Sequence, residues 1–377
     1  MLESLSNVPR DYAWGSPTLI PNLQGRAPDG TPEAEVWFGD HPGSPARIAD
    51  GRTLVEVRAA AGQEPLPYLL KILAASMSLS IQAHPSVAEA IEGFAREDAA
   101  GIAVDAAERT YRDRNHKPEI IVALSERFRA LVGLRPVEGT DALLAVLPQL
   151  PGVRGLRAAL QGADEAGVLR AVIDDALSGR VPEIVADLAA ALGDPAAGAS
   201  AEVEVLRAIA KDFPGDPGLV VAALMNLVVL SAGQAVFAPA GVLHAYQDGL
   251  GVELMAASDN VLRGGLTPKH VDVGELLRIV DTRPGPAPVL APTTDGPAEV
   301  FDAGVPDFLL ARIEVDGAVA LPLDGPAIVL AVAGEVGVAA GVGRVELRQG
   351  AAAYADGEPS LAFDGHGTVY VAQPGRA

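Results

Sequence analysis

The hydrophobic pattern of the chain changes twice along its length, and this alternation constrains the fold more than any other feature. Residues 137–225 are rich in Ala and Leu, repeat with a period near 3.6 residues, and are divided by Pro and Gly, as in consecutive helices. Short strand-like segments separated by Gly and Pro lie on both sides of this region. The pattern therefore predicts a mainly β protein with an inserted helical domain.

A Pro-rich connector at 283–288 predicts one further boundary, because several strand-like segments follow it. The predicted domains are a β domain built from residues 1–135 and 226–285, a helical insert at 136–225, and a second β domain at 286–377. The insert contains no histidine. We therefore expect it to pack against the site or to cover it.

Composition excludes several classes of function. The 377 residues carry a net charge of −21, which argues against nucleic acid or an anionic membrane as a partner. The absence of cysteine excludes disulfides, a thiolate nucleophile and a Cys-ligated zinc. Residues 1–10 show no signal-peptide pattern, and the most apolar run, 219–230, is too short to cross a bilayer, so we expect a cytoplasmic protein.

Four residues of metal-ligand type occur in three short motifs. Gln82 and His84 alternate along a predicted strand, so they share one face. Glu119 comes immediately before an apolar run, and His244 ends a Gly- and Pro-containing turn, 233–244, whose spacing resembles a motif of the cupin superfamily. Without cysteine, a metal must be bound by imidazole, carboxylate or amide oxygen. These four residues therefore predict one metal site.

The distribution of cations suggests the substrate. The chain has four lysines against twenty-four arginines, and three of the four lie near the polar motifs: Lys71, Lys117 and Lys269. A cationic pocket within an acidic protein suits a phosphorylated or carboxylated small molecule.

Several longer motifs resemble the type I mannose-6-phosphate isomerase family. They are Tyr12–Gly15, Leu66–Lys71, Ser78–Pro85, Asn115–Glu119 and Met255–Lys269. The resemblance implies a metal-binding cupin-like jelly-roll domain, an inserted helical domain and a second, C-terminal jelly-roll domain without a metal. It also implies an isomerase with one Zn²⁺ per chain, which interconverts mannose 6-phosphate and fructose 6-phosphate and supplies mannose metabolism.

The same resemblance assigns roles to individual residues. It gives Gln82, His84, Glu119 and His244 as zinc ligands and Arg263 as the active-site arginine. It places further residues in or near the substrate pocket: Lys71, Ser80, Lys117 and Lys269, with His116, Glu253 and Asp259 nearby.

The implied reaction needs a group that carries a proton between C1 and C2 and a group that stabilises the ene-diolate oxyanion. Zinc or Arg263 suits the second role. For the first we expect Lys117 or Lys71, whose pKa a nearby dication and arginine would lower toward neutrality. The sequence does not rank these two against three rivals, which are His116, Glu253 and Asp259.

Phosphate binding is assigned to Ser80 as a hydrogen-bond donor, with Arg263, Lys269 or Lys71 as counter-charges. Two other functions stay open at this point. One is a cupin iron dioxygenase, and the other is a catalytically silent sugar-phosphate sensor. The sequence does not fix the oligomeric state, and a monomer is our expectation.

Overall fold

The structure is a computed structural model and describes residues 1–376. It contains a ten-stranded and a nine-stranded antiparallel sheet, with a helical region between the strands of the first. The predicted fold class, mainly β with a helical insert, is confirmed. Within the described residues, no helix is both long enough and apolar enough to span a bilayer.

The first sheet forms the body of the site-bearing domain. Its strands are β2 (Glu35–Phe38), β3 (Tyr68–Ala75), β4 (Gln82–Ala83), β5 (Glu119–Ala123), β6 (Phe128–Leu134), β7 (Met225–Leu230), β8 (Ala235–Ala238), β9 (His244–Ala256), β10 (Leu262–Arg263) and β11 (Val289–Leu290). The first half of β9 pairs with β4 and β6, and its second half pairs with β3 and β5. The sheet therefore folds over at the middle of β9.

The fold in β9 occurs at Gly249, whose φ is +127°. A Cβ at this position would lie 2.6 Å from the Phe128 ring. Glycine is required here because any side chain would clash with β6 and would strain the backbone. The two halves then face each other and enclose a core that includes Leu73 and Ile121 from one half and Val132 from the other.

The second sheet contains most of the C-terminal region. Its strands are β1 (Leu2–Leu5), β12 (Thr293–Asp295), β13 (Ala298–Phe301), β14 (Leu309–Asp316), β15 (Val319–Pro322), β16 (Ala327–Ala340), β17 (Gly343–Arg348), β18 (Ala352–Ala355) and β19 (Ser360–Gln373). Two pairings depart from the predicted division. Strand β1 pairs with β18 of this sheet, although residues 1–135 were assigned to the other domain. Strand β11 lies after the Pro-rich connector but pairs with β8 of the first sheet.

Helices fill the region between β6 and β7. They are α4 (Val137–Ala145), α5 (Pro151–Ala159), α6 (Glu165–Leu177), α7 (Pro182–Gly193), the 3-10 helix Pro195–Ala197, α8 (Ala201–Asp212) and α9 (Gly218–Leu224). Their apolar faces form one core, to which α10 (Val273–Ile279) also contributes. The helical region is thus held to the first sheet at both of its ends.

Two segments before the helical region are less regular than their sequence patterns. Residues 85–108 have helical spacing, but the helix is α3 (Val87–Ala99), which begins at a capping box between Ser86 and Glu89 and is followed by turns. The alternating apolar segments across residues 10–60 form only β2 and isolated bridges, with two short helices, α1 (Leu19–Leu23) and α2 (Leu54–Ala60). Gly and Pro in this segment favour turns over continuous pairing.

The pleat of the first sheet decides which side chains face its interior. Along β3, Leu70, Ile72 and Ala74 pack against the second sheet, so Lys71 between them faces inward. The same alternation turns Glu119 and Glu253 inward, because their strand neighbours also belong to the core shared with the second sheet.

Candidate metal centre and substrate cavity

Two imidazoles and a carboxylate converge in the interior of the first sheet. Nε2 of His84 lies 3.3 Å from Oε1 of Glu119, and Nε2 of His244 lies 3.2 Å from Oε2 of Glu119. One potential ligand atom from each residue lies within 4.8 Å of the others, and all three residues are buried. Within residues 1–376, both Nε2 atoms and Glu119 Oε2 have no partner in hydrogen-bond geometry. Buried polar atoms that are close but unpaired are what a metal site requires.

Hydrogen bonds on the far side of each ring orient the imidazoles. Nδ1 of His84 donates to the backbone carbonyl of Asn260 at 2.7 Å, and Nδ1 of His244 donates to that of Val242 at 3.1 Å. This tautomer leaves a lone pair on each Nε2, directed toward Glu119. Such contacts behind metal-binding histidines fix the ring and strengthen the ligand.

Gln82 lines the same cavity as Glu119, and its backbone pairs with His244 and Arg263. The predicted strand around it is short: β4 contains two residues, and His84 follows it. We therefore propose the side-chain amide of Gln82 as the fourth ligand, in addition to His84, Glu119 and His244.

Charge around Glu119 favours its ionised form. Its burial raises the pKa, but the Lys117 ammonium, 2.7 Å from Oε1, and the nearby His84 outweigh this, and the pKa of Glu119 lies well below its usual range. Burial lowers the pKa of His84 to about 4, and Lys117 adds to this effect. The site thus presents a carboxylate and a neutral imidazole at neutral pH, which are the protonation states that bind metal ions.

Lys71 lies between two buried carboxylates. Its Nζ is 2.9 Å from Glu253 and 3.5 Å from Glu35, and it lies over the Trp37 ring. Burial alone would lower the pKa of Lys71, but Glu253 and Glu35 outweigh it and raise this pKa above its ordinary value. These carboxylates favour the charged form of Lys71. The lowered pKa expected for Lys71 beside a dication stays a prediction.

Burial raises the pKa of Glu253, while Lys71 opposes that rise. Glu253 lines the cavity, and on the neighbouring strand it stands directly opposite Lys71. Burial that raises the pKa of a carboxyl group is one way in which enzymes tune a general acid–base catalyst. The geometry thus strengthens this rival for the proton-transfer role.

The site opens into a cavity of about 470 Å³. Its lining includes the predicted metal ligands Gln82 and Glu119, together with Lys117. It also includes Arg263 and Lys269, and Arg263 donates a hydrogen bond to the Ser80 hydroxyl at 3.2 Å. Predicted metal ligands and predicted phosphate-binding residues therefore line one continuous cavity.

Two predicted substrate-binding residues lie outside this cavity. His116 Nε2 is 2.7 Å from Asp307, so its ring points toward the C-terminal domain. Asp259 is exposed, bonds to His41 at 3.2 Å, and lines an adjoining cavity. Neither is placed to move a proton at the buried metal end, and we withdraw both from that role.

Comparison with known proteins identifies the family. Residues 2–137 match the family model described as phosphomannose isomerase type I, catalytic domain. The mannose-6-phosphate isomerase of Escherichia coli is 34% identical over 98% of both chains, and that of Salmonella typhimurium is 38% identical over 81% of this chain and 82% of that protein. The chain belongs to the type I phosphomannose isomerase family.

Solved structures agree with this assignment. A zinc-bound mannose 6-phosphate isomerase is 33% identical and superposes with a TM-score of 0.89 over the full length of both chains. The apo form of the Salmonella typhimurium mannose 6-phosphate isomerase, also 33% identical, gives a TM-score of 0.89 over 100% of this chain and 99% of that one. The resemblance, the cupin-like fold and the isomerase class predicted from the motifs are confirmed.

The donor set fits the zinc expected for this family. Two imidazoles and a carboxylate are zinc ligands, and a site that completes its shell with a weak amide donor or solvent stays open, as catalytic zinc sites do. The unpaired Nε2 atoms are the independent structural sign that an ion belongs here.

Sequence reasoning missed two kinds of cavity residue. Glu35 is an acid at an inward position of β2, and its carboxylate accepts a bond from Trp37 at 2.9 Å. The signal in the sequence for this cavity residue was a carboxylate at the start of the otherwise apolar run 35–38. Phe213 reaches the cavity from the end of α8, which fits the expectation that the helical insert covers the site.

Proposed function

We propose that the chain is a zinc-dependent isomerase that interconverts mannose 6-phosphate and fructose 6-phosphate. One observation carries this proposal: the cavity lined by the cations Arg263, Lys269 and Lys117 reaches Glu119, the carboxylate of a buried His–Glu–His cluster with unpaired ligand atoms. An open-chain sugar phosphate has the matching polarity, because its carbonyl and hydroxyl oxygens lie at one end and its phosphate at the other.

In this orientation C1 and C2 face Gln82 and Glu119, and the phosphate faces Arg263 and Lys269. Ser80 donates to a phosphate oxygen, and the guanidinium of Arg263 offers two N–H groups to the anion or to the developing ene-diolate. Zinc, when bound by His84, Glu119, His244 and Gln82, would supply Lewis-acid polarisation of the substrate oxygens.

The proton-transfer step involves a titratable side chain that lines the cavity near the reacting carbons. Glu253, Lys71 and Lys117 line the cavity, whereas His116 and Asp259 lie outside it, which supports one of the first three as the proton carrier. We propose that the Glu253 carboxylate accepts the proton from C2 of mannose 6-phosphate and, as the carboxylic acid, returns it to C1, while Lys71, bonded to it at 2.9 Å, stabilises the carboxylate form before and after the transfer. Lys117 neutralises Glu119 and adds positive potential near the oxyanion.

The test follows the sugar directly. Zinc-loaded protein is incubated with mannose 6-phosphate in D₂O, and NMR records both fructose 6-phosphate formation and deuterium incorporation at the exchanging carbon. We expect both, and we expect Glu253→Gln to lose both while it retains zinc. No interconversion by zinc-loaded protein would contradict the proposal.

Two further measurements separate the other functions. Oxygen uptake by iron-loaded protein would indicate a dioxygenase, and binding of mannose 6-phosphate without turnover would indicate a sensor. The predicted domain boundaries, the monomeric state and the cytoplasmic location stay predictions.

A further inference from the structure

Beside the substrate cavity lies a second cavity of about 620 Å³. The two share Tyr12, Arg263, Pro268 and Lys269, so they adjoin where the cations Arg263 and Lys269 lie. Arg112 lines the second cavity, and none of the sequence motifs assigned a function to it. It is therefore an additional cation next to the predicted phosphate end.

Three cations meet at the junction without a carboxylate partner. Within residues 1–376, none of the three side chains, Arg112, Arg263 and Lys269, forms an ion pair. The hydrogen bond that Arg263 donates goes to the neutral Ser80 hydroxyl. The chain as a whole has a net charge of −21. The junction is therefore a local cationic patch on an acidic protein, and such a patch attracts a small anion.

The mutual repulsion of these cations contributes to lowered pKa values of Lys269 and Arg263. Burial lowers the pKa of Lys269, and Arg263 and Arg112 lower it further. Burial likewise lowers the pKa of Arg263, with a further contribution from Arg112. An anion at the junction would relieve both effects.

Within residues 1–376, no other charged group that lines this cavity forms an ion pair with the three cations. Asp259 lies near Arg112, and its carboxylate is 3.2 Å from Nε2 of His41. Arg109 bonds to Glu97 and Asp98 at 3.0 and 2.8 Å. Two further titratable groups line the cavity, Glu108 and His270.

The backbone of Arg112 is fixed relative to the metal centre by one buried side chain. Asn260 is fully buried, and its Oδ1 accepts a hydrogen bond from the Arg112 backbone N–H at 2.7 Å. The backbone carbonyl of the same residue holds Nδ1 of His84 at 2.7 Å. Asn260 therefore sets the spacing between a metal ligand and the segment that carries Arg112.

We propose that Arg112 is a further substrate-binding residue, which joins Arg263 and Lys269 around the phosphate of an open-chain sugar phosphate at the junction of the two cavities. This inference rests on the proposed function and deepens it. The fixed spacing through Asn260 then selects substrates whose phosphate lies at the far end of the carbon chain from the reacting carbonyl.

The test measures binding of a probe that does not react. Mannitol 1-phosphate is an open-chain sugar phosphate without a carbonyl, and calorimetry gives its Kd for zinc-loaded wild type, Arg112→Ala and Arg112→Lys. We expect Arg112→Ala to weaken binding about 10-fold or more, as for loss of a charge-assisted hydrogen bond. Arg112→Lys restores part of the affinity, and uncharged mannitol does not distinguish the variants.

Arg114 supplies the matched control. It is exposed, lies two residues further along, and stacks on the Phe94 ring outside both cavities. Arg114→Ala has the same change in net charge, and we expect it to bind the probe as wild type does. Equal affinity in Arg112→Ala and wild type, or equal losses in both alanine variants, would overturn the inference.

The outcome also separates this inference from the proposed function. Probe binding that depends on Arg112 in a protein without isomerase activity would support the phosphate site and contradict the isomerase. Isomerase activity whose KM for mannose 6-phosphate is unchanged in Arg112→Ala would support the isomerase and contradict the role of Arg112.

Discussion

The two β domains share an architecture and differ in what their sheets bury. The ten-stranded sheet encloses charged and metal-ligating side chains, among them Lys71, His84, Glu119 and His244. The nine-stranded sheet encloses Ala, Val, Leu, Ile and Phe. Among the described residues after Val289, the buried polar side chains are Asp307 and Gln373, and Asp307 pairs with His116 of the other domain.

This difference shows where function is located in such a fold. The pleat of a strand decides which residues face inward, but it does not decide their chemistry. A buried charge is unfavourable without a partner. Charged residues are therefore found at inward positions where they are paired or where they bind a ligand. The unpaired atoms of the first sheet therefore mark the site more clearly than the shared fold does.

The largest expected effect comes from removing a metal ligand. His244→Ala should lose both zinc and detectable turnover, because it removes one of three converging donors. His366→Ala is the matched control, since His366 is exposed on the second sheet and pairs with Asp316. Metal analysis and the isomerase assay measure both properties. A fully metallated, active His244→Ala protein would remove that residue from the ligand set.

Arg263 comes next. Arg263→Ala should lower turnover by about 10² to 10³-fold, as for loss of a donor to a developing anion, while zinc content stays unchanged. Arg344→Ala on the second sheet is the control, because Arg344 is exposed and bonds to Asp364 and Glu346. Wild-type turnover in Arg263→Ala would make this arginine structural.

Stability should also differ between the domains. Lys71→Met leaves Glu35 and Glu253 buried without their shared cation, and we expect a loss of about 3–5 kcal/mol in the free energy of unfolding. Arg348→Met removes an exposed pair with Glu335 and should leave the unfolding midpoint unchanged. Denaturant unfolding compares the two variants. Equal unfolding midpoints in the two variants would mean that the buried contacts of Lys71 stabilise the protein no more than the exposed pair of Arg348 does.

The smallest effect is a pH dependence of the metal-free protein. The unfolded chain protonates His84 near its ordinary pKa of about 6.5, while burial lowers the folded pKa to about 4. Stability from this group is therefore present above pH 6.5 and falls as the pH decreases toward 4, by at most about 1.4 kcal/mol per pH unit.

Unfolding midpoints measured between pH 7 and 5 test this dependence. The slope should be reduced in His84→Gln and unchanged in His366→Gln on the second sheet, because His366 is exposed. An unchanged slope in His84→Gln would assign the pH dependence to other groups.

Much of this could be predicted from local sequence. The helical block and the strand blocks follow from periodicity, and the ligand candidates Gln82, His84, Glu119 and His244 stand in short motifs where polar side chains interrupt apolar or turn-forming segments. The structure brings the last three together in the interior of one sheet.

The rest depends on which distant segments meet. Glu35 helps to raise the pKa of Lys71 because β2 and β3 are neighbouring strands. The His116 ring points away from the substrate cavity because its Nε2 contacts Asp307, which lies 191 residues later in the chain. Strand β1 joins the second sheet through four pairings with β18 that its own residues do not signal. No local pattern contains these contacts, since each arises when separate elements pack.

The central claim is that isomerisation depends on one zinc ion held inside the first sheet. The most direct measurement chelates the purified protein and then titrates zinc back while the rate of mannose 6-phosphate to fructose 6-phosphate conversion is recorded. We predict that activity disappears on chelation and rises linearly until one zinc per chain has been added. Full activity after verified metal removal would contradict the account and leave His84, Glu119 and His244 with a structural role.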